Sequence, residues 1–105
     1  MTDLILLLQA DIDVQSTFER YEDYQEGRGE VFLHQLDAVL TLVRQFPELG
    51  RPVEDRYRRL LLRNFPCGVF YANEGPQIVV VAVMDLRQNP ETIQRRLTGR
   101  PGTQD

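Results

Sequence analysis

Three short apolar runs, Leu60 to Leu62, Val69 to Tyr71 and Ile78 to Met84, dominate the second half of the chain. Each is brief and rich in β-branched or aromatic residues, the signature of a strand. Asn64, Phe65 and Pro66 separate the first from the second, and Asn73, Glu74, Gly75 and Pro76 separate the second from the third. Gly allows positive φ and Pro fixes its own, so both breaks read as turns. Connections this short force antiparallel pairing, which predicts a three-stranded meander. Near the start, Leu4 to Leu8 is unbroken and apolar. It is expected as a fourth strand, buried on both faces or close to it.

Between these lie two stretches of helical period. Ala10, Val14, Phe18 and Tyr21 recur every three or four residues and form one stripe over about 10–25, opposite Asp11, Glu19, Glu22 and Glu26, which read as a solvated face. Gly27, Arg28 and Gly29 interrupt the pattern. A second helix then runs from about Glu30 to Phe46, with Phe32, Leu36, Val39, Leu40, Val43 and Phe46 on one side. Pro47 and the Gly50 to Pro52 segment end it, giving an αα-hairpin. After the meander, Asn89, Pro90 and Glu91 supply a side-chain cap, a first-turn proline and a first-turn acid. A short third helix follows, with Ile93 and Leu97 one turn apart. The expected fold is α+β, in the order β-α-α-β-β-β-α: an αα-hairpin packed on one face of a small antiparallel β-sheet. Residues 1–98 are expected to form a single domain and 99–105, which lack an apolar anchor, a mobile tail.

Composition narrows the function. The chain has 105 residues, enough for one domain that buries roughly two thirds of its unfolded surface. Its single cysteine suits a reducing compartment, and Leu4 to Leu8 is too short for a signal or membrane segment, so a cytoplasmic location is expected. Residues 1–55 carry 12 acids against 4 arginines and residues 56–105 carry 4 acids against 8 arginines, so the halves have opposite charge. All 12 basic residues are arginine. One His and one Cys give no zinc-ligand spacing, and there is no P-loop or dinucleotide fingerprint, so no metal and no cofactor are expected. His34 falls on the polar side of the second helix and reads as a surface residue. Cys67 reads as a small buried residue, and Tyr57, Phe65, Phe70 and Tyr71 read as packing.

The arginines bracket the meander. Strand alternation puts Arg59 and Arg63 on one face with Leu61, and Arg58 on the other with Leu60 and Leu62. Arg87 shares its parity with Val79, Val81, Val83 and Asp85, and Asp85 is a candidate ion-pair partner for it. The pieces RRLLLRNFPCGVFY and VVVAVMDLRQNP, in this order and spacing, resemble the RelE/ParE superfamily of bacterial toxins, from about Leu4 to Leu97. Cys67 stands where that pattern commonly has Tyr, Asp85 where it has His and Gln88 where it has a second Arg.

The resemblance implies the toxin of a type II toxin–antitoxin module, neutralised by a cognate antitoxin. ParE-like members poison DNA gyrase by binding it. RelE-like members are ribonucleases that cut messenger RNA on the ribosome, and a decayed, partner-binding remnant is a third option. RelE chemistry commonly uses Lys, Arg, His, Glu or Tyr to move protons and stabilise phosphate. This chain has no Lys, no sheet His and no Tyr after Tyr71, and arginine stays protonated. An acidic protein is also poorly matched to the polyanionic ribosome. The ParE-like reading is therefore favoured, with no catalytic residue assigned; a ribonuclease would have to use Arg59, Arg63 and Arg87. The expected partner-binding residues are Arg58, Arg59, Arg63, Arg87, Arg95 and Arg96. Expected partners are the antitoxin and DNA gyrase, with a homodimer as a further option and no membrane or direct nucleic-acid contact.

Overall fold

The computed structural model describes residues 2–54 and 56–99. The elements are β1 (Asp3–Leu6), α1 (Leu8–Tyr24), α2 (Arg28–Gln45), β2 (Arg51–Glu54), β3 (Tyr57–Leu61), β4 (Cys67–Asn73), β5 (Gln77–Asp85) and α3 (Pro90–Thr98). They form one five-stranded sheet in the order β1-β5-β4-β3-β2. The meander β3-β4-β5 is antiparallel as expected. The α+β fold with a helical hairpin on the sheet stands, and the expected mobile tail falls, apart from Gly99, outside the described residues. Among the described residues no helix is long and apolar enough to cross a membrane.

Two features of the sheet differ from the sequence reading. Arg51–Glu54, which reads as the segment ending α2, is a strand that pairs with β3. Its Pro52 and charged ends hide it from a pattern search, yet they suit an edge strand, where a missing N–H does no harm. β1 pairs in parallel with β5, which makes the sheet mixed, and it is not buried on both faces. Leu4 and Leu6 pack on the core, but Ile5 is 43% exposed and Leu8, already helical, is 74% exposed. An edge strand has less to cover it than the central pair.

The two faces of the sheet carry separate cores. The hairpin buries Ala10, Phe32, Leu36, Val39 and Val43 against Cys67, Val69, Tyr71, Ile78, Val80 and Val83. On the other face, Leu97 of α3 covers Tyr57, Phe70, Ala72, Val79, Val81, Ala82 and Met84, with Ile93 partly buried beside them. β4 and β5 are thus buried on both sides, which is why they read as unbroken apolar runs.

A bulge corrects the alternation read from sequence. Phe70 opposes Ala82 but Tyr71 opposes Val80, so Val81 is an extra residue on β5. Val79 and Val81 lie on the α3 face and Val83 on the hairpin face, not on one side together. β1 pairs with β5 only as far as Val80, and α1 then runs beside the rest of that edge. There Oδ2 of Asp13, a side chain only 8% exposed, accepts the Val83 backbone N–H at 3.0 Å. Replacing Asp13 by Ala leaves that buried donor without its acceptor, so a stability loss of about 1–3 kcal/mol is expected. Thermal melting of the purified variant measures it, and an unchanged Tm would mean that water replaces the carboxylate.

Candidate functional site

β3 presents its arginines to opposite faces, as alternation requires. Arg58 points to the hairpin side, where its Nη1 donates to the carbonyls of Glu48 at 3.1 Å and Gly50 at 2.7 Å. The hydroxyl of Tyr71 ties the same loop, donating to Pro47 O at 2.8 Å and accepting from Gly50 N at 2.9 Å. Arg58 is therefore a strut for the α2–β2 connection.

Arg59 faces α3. A Cβ added at Gly68, on the adjacent strand, would lie 3.1 Å from its Cγ and 3.2 Å from Leu86 Cδ1, so the bare glycine makes room for the arginine stem. The stem lies in a cleft of about 260 Å³ lined by Val53, Phe70, Leu86, Ile93 and Leu97, with Glu54 and Gln94 also on its wall. Gln94 Nε2 donates to Glu54 Oε2 at 2.8 Å, linking α3 to β2. Arg59 Nε is buried and has no hydrogen-bond partner.

The other expected residues do not join Arg59. Arg63 is exposed in the β3–β4 turn, beside Asn64 with its left-handed φ of 67°. Arg87 lies just past β5, where Asp85 accepts from its Nε at 3.1 Å, its Nη2 at 2.7 Å and its backbone N–H at 2.8 Å. This is the ion pair that the i, i+2 spacing offered. Arg87 holds the Asp85 carboxyl below the ordinary carboxylate range by these hydrogen bonds. Arg96 reaches Asp13 at 3.3 Å and Gln88 at 3.4 Å, while Arg95 is exposed. The six arginines are spread over both faces and one end of the fold.

A second cleft gathers residues that the sequence reading passed over. Arg20 and Arg28 join Arg87 around Tyr21, Tyr24, Asn64, Phe65 and Pro66. The Arg28 guanidinium sits 4.4 Å from the Phe65 ring centroid, and Arg20 lies 3.9 Å from Asp85. Both arginines stand out in sequence only as rare cations in an acidic half; their convergence depends on how the helical hairpin meets the β3–β4 turn. Glu22 was also misplaced by the helical pattern. Half-buried, its carboxylate accepts the backbone N–H groups of Gly27 at 2.9 Å and Gly29 at 3.0 Å, so it caps the start of α2 as well as meeting solvent. Burial pushes the Cys67 thiol up, against a Tyr21 hydroxyl 3.9 Å away, in keeping with a packed residue.

Residues 4–90 match the family model described as ParE toxin of type II toxin-antitoxin system, parDE. The chain belongs to the ParE toxin family. No curated protein sequence matches it. A solved chain described as the chromosomal ParDE TA system from P. aeruginosa superposes with a TM-score of 0.75 at 18% identity, covering 83% of this chain and 98% of that one. At that identity the likeness speaks to the fold, and it agrees with a ParE-like arrangement of hairpin and sheet. The ParE match holds Arg58, Arg59, Arg63 and Arg87 and stops at the first residue of α3, leaving Arg95 and Arg96 beyond it.

The Asp85–Arg87 pair gives a pH prediction. A carboxyl whose folded pKa is depressed contributes stability that is fully present above its unfolded pKa, roughly 3.9, and is lost as pH falls through the folded value. Below about pH 4 the parent should therefore lose stability more steeply than Asp85→Asn. Denaturant midpoints measured down the acid range check this, and parallel curves would count against it.

Proposed function

We propose that this ParE-family chain is a toxin that acts by binding protein, with DNA gyrase as its target and a cognate antitoxin as its neutralising partner. The observation that carries this reading is the chemistry of the α3 face. Its cation, Arg59, stays protonated at any physiological pH and can hold an anion but not take a proton. The potential acceptors nearby are engaged or distant. Glu54 is hydrogen-bonded by Gln94, Tyr57 on the same face is buried in the α3-side core, the Tyr71 hydroxyl is bound in the α2–β2 loop, and His34 is exposed on α2. A ribonuclease needs a base within reach of the 2′-hydroxyl as well as charge stabilisation.

Arg87 fits the same picture, because its guanidinium is already committed to Asp85 through two side-chain hydrogen bonds. The acidic outer side of α1, with Asp11, Glu19 and Asp23 exposed, and Glu26 exposed in the turn after it, also favours a protein partner over a polyanion. An antitoxin that covers the open clefts would neutralise the toxin by occupying them.

The direct test is a gyrase supercoiling assay with purified protein beside a ribosome-bound messenger RNA cleavage assay. Concentration-dependent inhibition of supercoiling, or trapped cleaved DNA, is expected, with no codon-phased cuts. The opposite pair of results would reverse the assignment and make Arg59, Arg63 and Arg87 transition-state stabilisers. The triple variant Arg59→Ala, Arg63→Ala, Arg87→Ala should remain folded and lose toxicity on induced expression. Full toxicity from that folded variant would remove these residues from the site. Co-expression with the protein encoded beside this chain should give a complex that survives size exclusion.

A further inference from the structure

We propose that the cleft between β3 and α3 binds a carboxylate carried next to an aliphatic side chain, as on a segment of a protein partner that brings a single acidic side chain beside an apolar one. The first ground is Arg59. Among the described residues its Nε is the one buried side-chain nitrogen or oxygen without a hydrogen-bond partner. Leaving a charged donor unpaired away from water costs free energy comparable to a lost charge-assisted hydrogen bond. No carboxylate of the chain lies in ion-pair range of it among the described residues. The stem is also held in place, packed over Gly68 and beside Leu86, so the guanidinium is positioned before any ligand arrives.

The second ground is the wall around it. Val53, Phe70, Leu86, Ile93 and Leu97 make the cleft mostly apolar. A planar guanidinium fork beside an apolar surface matches a carboxylate joined to a short hydrocarbon group. The volume, about 260 Å³, is below the range of roughly 300–1,000 Å³ usual for whole small-molecule ligands and fits one or two side chains of a larger partner.

Charge separates carboxylate from phosphate. Glu54 lies on the wall and offsets the single positive charge of Arg59, so a monoanion is tolerated better than a dianion. A phosphodiester chain would carry further charges past Glu54 and past Glu91 on the first turn of α3, with no second cation in the cleft to meet them. The apolar wall gives a phosphate nothing in return.

The identity of the occupant as a protein segment rests on the protein-binding reading above, but the cleft can be tested without gyrase or antitoxin. The probe is N-acetyl-L-leucine, which joins a carboxylate to an isobutyl group, and its neutral control is N-acetyl-L-leucinamide. The readout is the Arg59 Nε–Hε resonance of the ¹⁵N-labelled chain, assigned by its loss in Arg59→Gln. We expect N-acetyl-L-leucine to shift this resonance saturably at millimolar concentrations and the amide to leave it in place. In Ile93→Ser, confirmed as folded by its amide spectrum, affinity should fall at least about tenfold, the effect of losing roughly 1.4 kcal/mol of apolar contact. In Arg59→Gln the shifts of amides around the cleft should disappear, and Arg59→Met, which keeps an unbranched stem without the charge, serves the same purpose if the glutamine variant does not fold. Equal shifts with the amide, a response to inorganic phosphate alone, or no response to either would overturn the proposal. Such a failure would leave the toxin reading intact, just as a negative gyrase assay would leave the cleft result intact.

Discussion

The hydrogen bond from Val83 N–H to Asp13 is the constraint on which the rest of the arrangement turns. β5 is longer than its parallel neighbour β1, and its edge beyond Val80 has backbone donors that β1 does not reach. A carboxylate there is costly to bury unless it is fully paired. Asp13 meets that condition by accepting from β5 with one oxygen and from Arg96 with the other. The same side chain therefore fixes where α1 lies along the sheet and ties α3 to it. The bulge at Val81 belongs to this solution, because it puts Val83 back on the hairpin face while leaving Val81 and Ala82 together under α3.

Fixing α3 in this way creates the cleft. The helix is amphipathic and short, with Leu97 its one fully buried side chain and Ile93 partly buried. A helix of 9 residues is not stable alone, so its position depends on Leu97, on the Asn89 side chain accepting the Glu91 N–H at 2.7 Å, and on the contacts from Arg96 and Gln94. It covers the sheet incompletely, and the uncovered part is where Arg59 lies. The exposed ion pairs themselves contribute little to stability, since such pairs are worth about 0–1 kcal/mol. What spans α3 and β2 is the Gln94–Glu54 hydrogen bond, and it bears on the width of the opening.

How much of this could be read from the sequence depends on range. Helix stripes and turn residues are local, so the hairpin and the meander were legible, as was the Asp85–Arg87 pair two residues apart. Three things were not. Pro52 masked an edge strand, because pattern reading treats proline as a break even where an edge tolerates it. The bulge was invisible, since an unbroken Val-rich run looks the same whichever residue is extra, and one extra residue reverses every later face. The joint placement of Arg20, Arg28 and Arg87 requires three elements to meet. Glu22 failed for a related reason, and Asp13 drew no notice: an acid on a helix reads as solvated until the N–H groups it serves are in view.

The arginines illustrate why residue type alone did not define the site. Arg58 binds backbone carbonyls, Arg87 binds a carboxylate, Arg96 binds a buried carboxylate and Arg28, outside the expected six, lies over an aromatic ring, so these four are engaged within the fold. Each engagement uses the fork or the flat face of a guanidinium, which an ammonium would satisfy less well. A chain without lysine can build struts and binding groups from one residue type, and only the partners in space tell them apart. Arg59 differs from these four in two ways that can be stated physically: its stem is fixed over a glycine, and its Nε is buried without an acceptor. A positioned charge whose internal partner is missing is poised to accept an external one, and that makes the α3 face, more than the count of arginines around the sheet, the reason to look for a partner there.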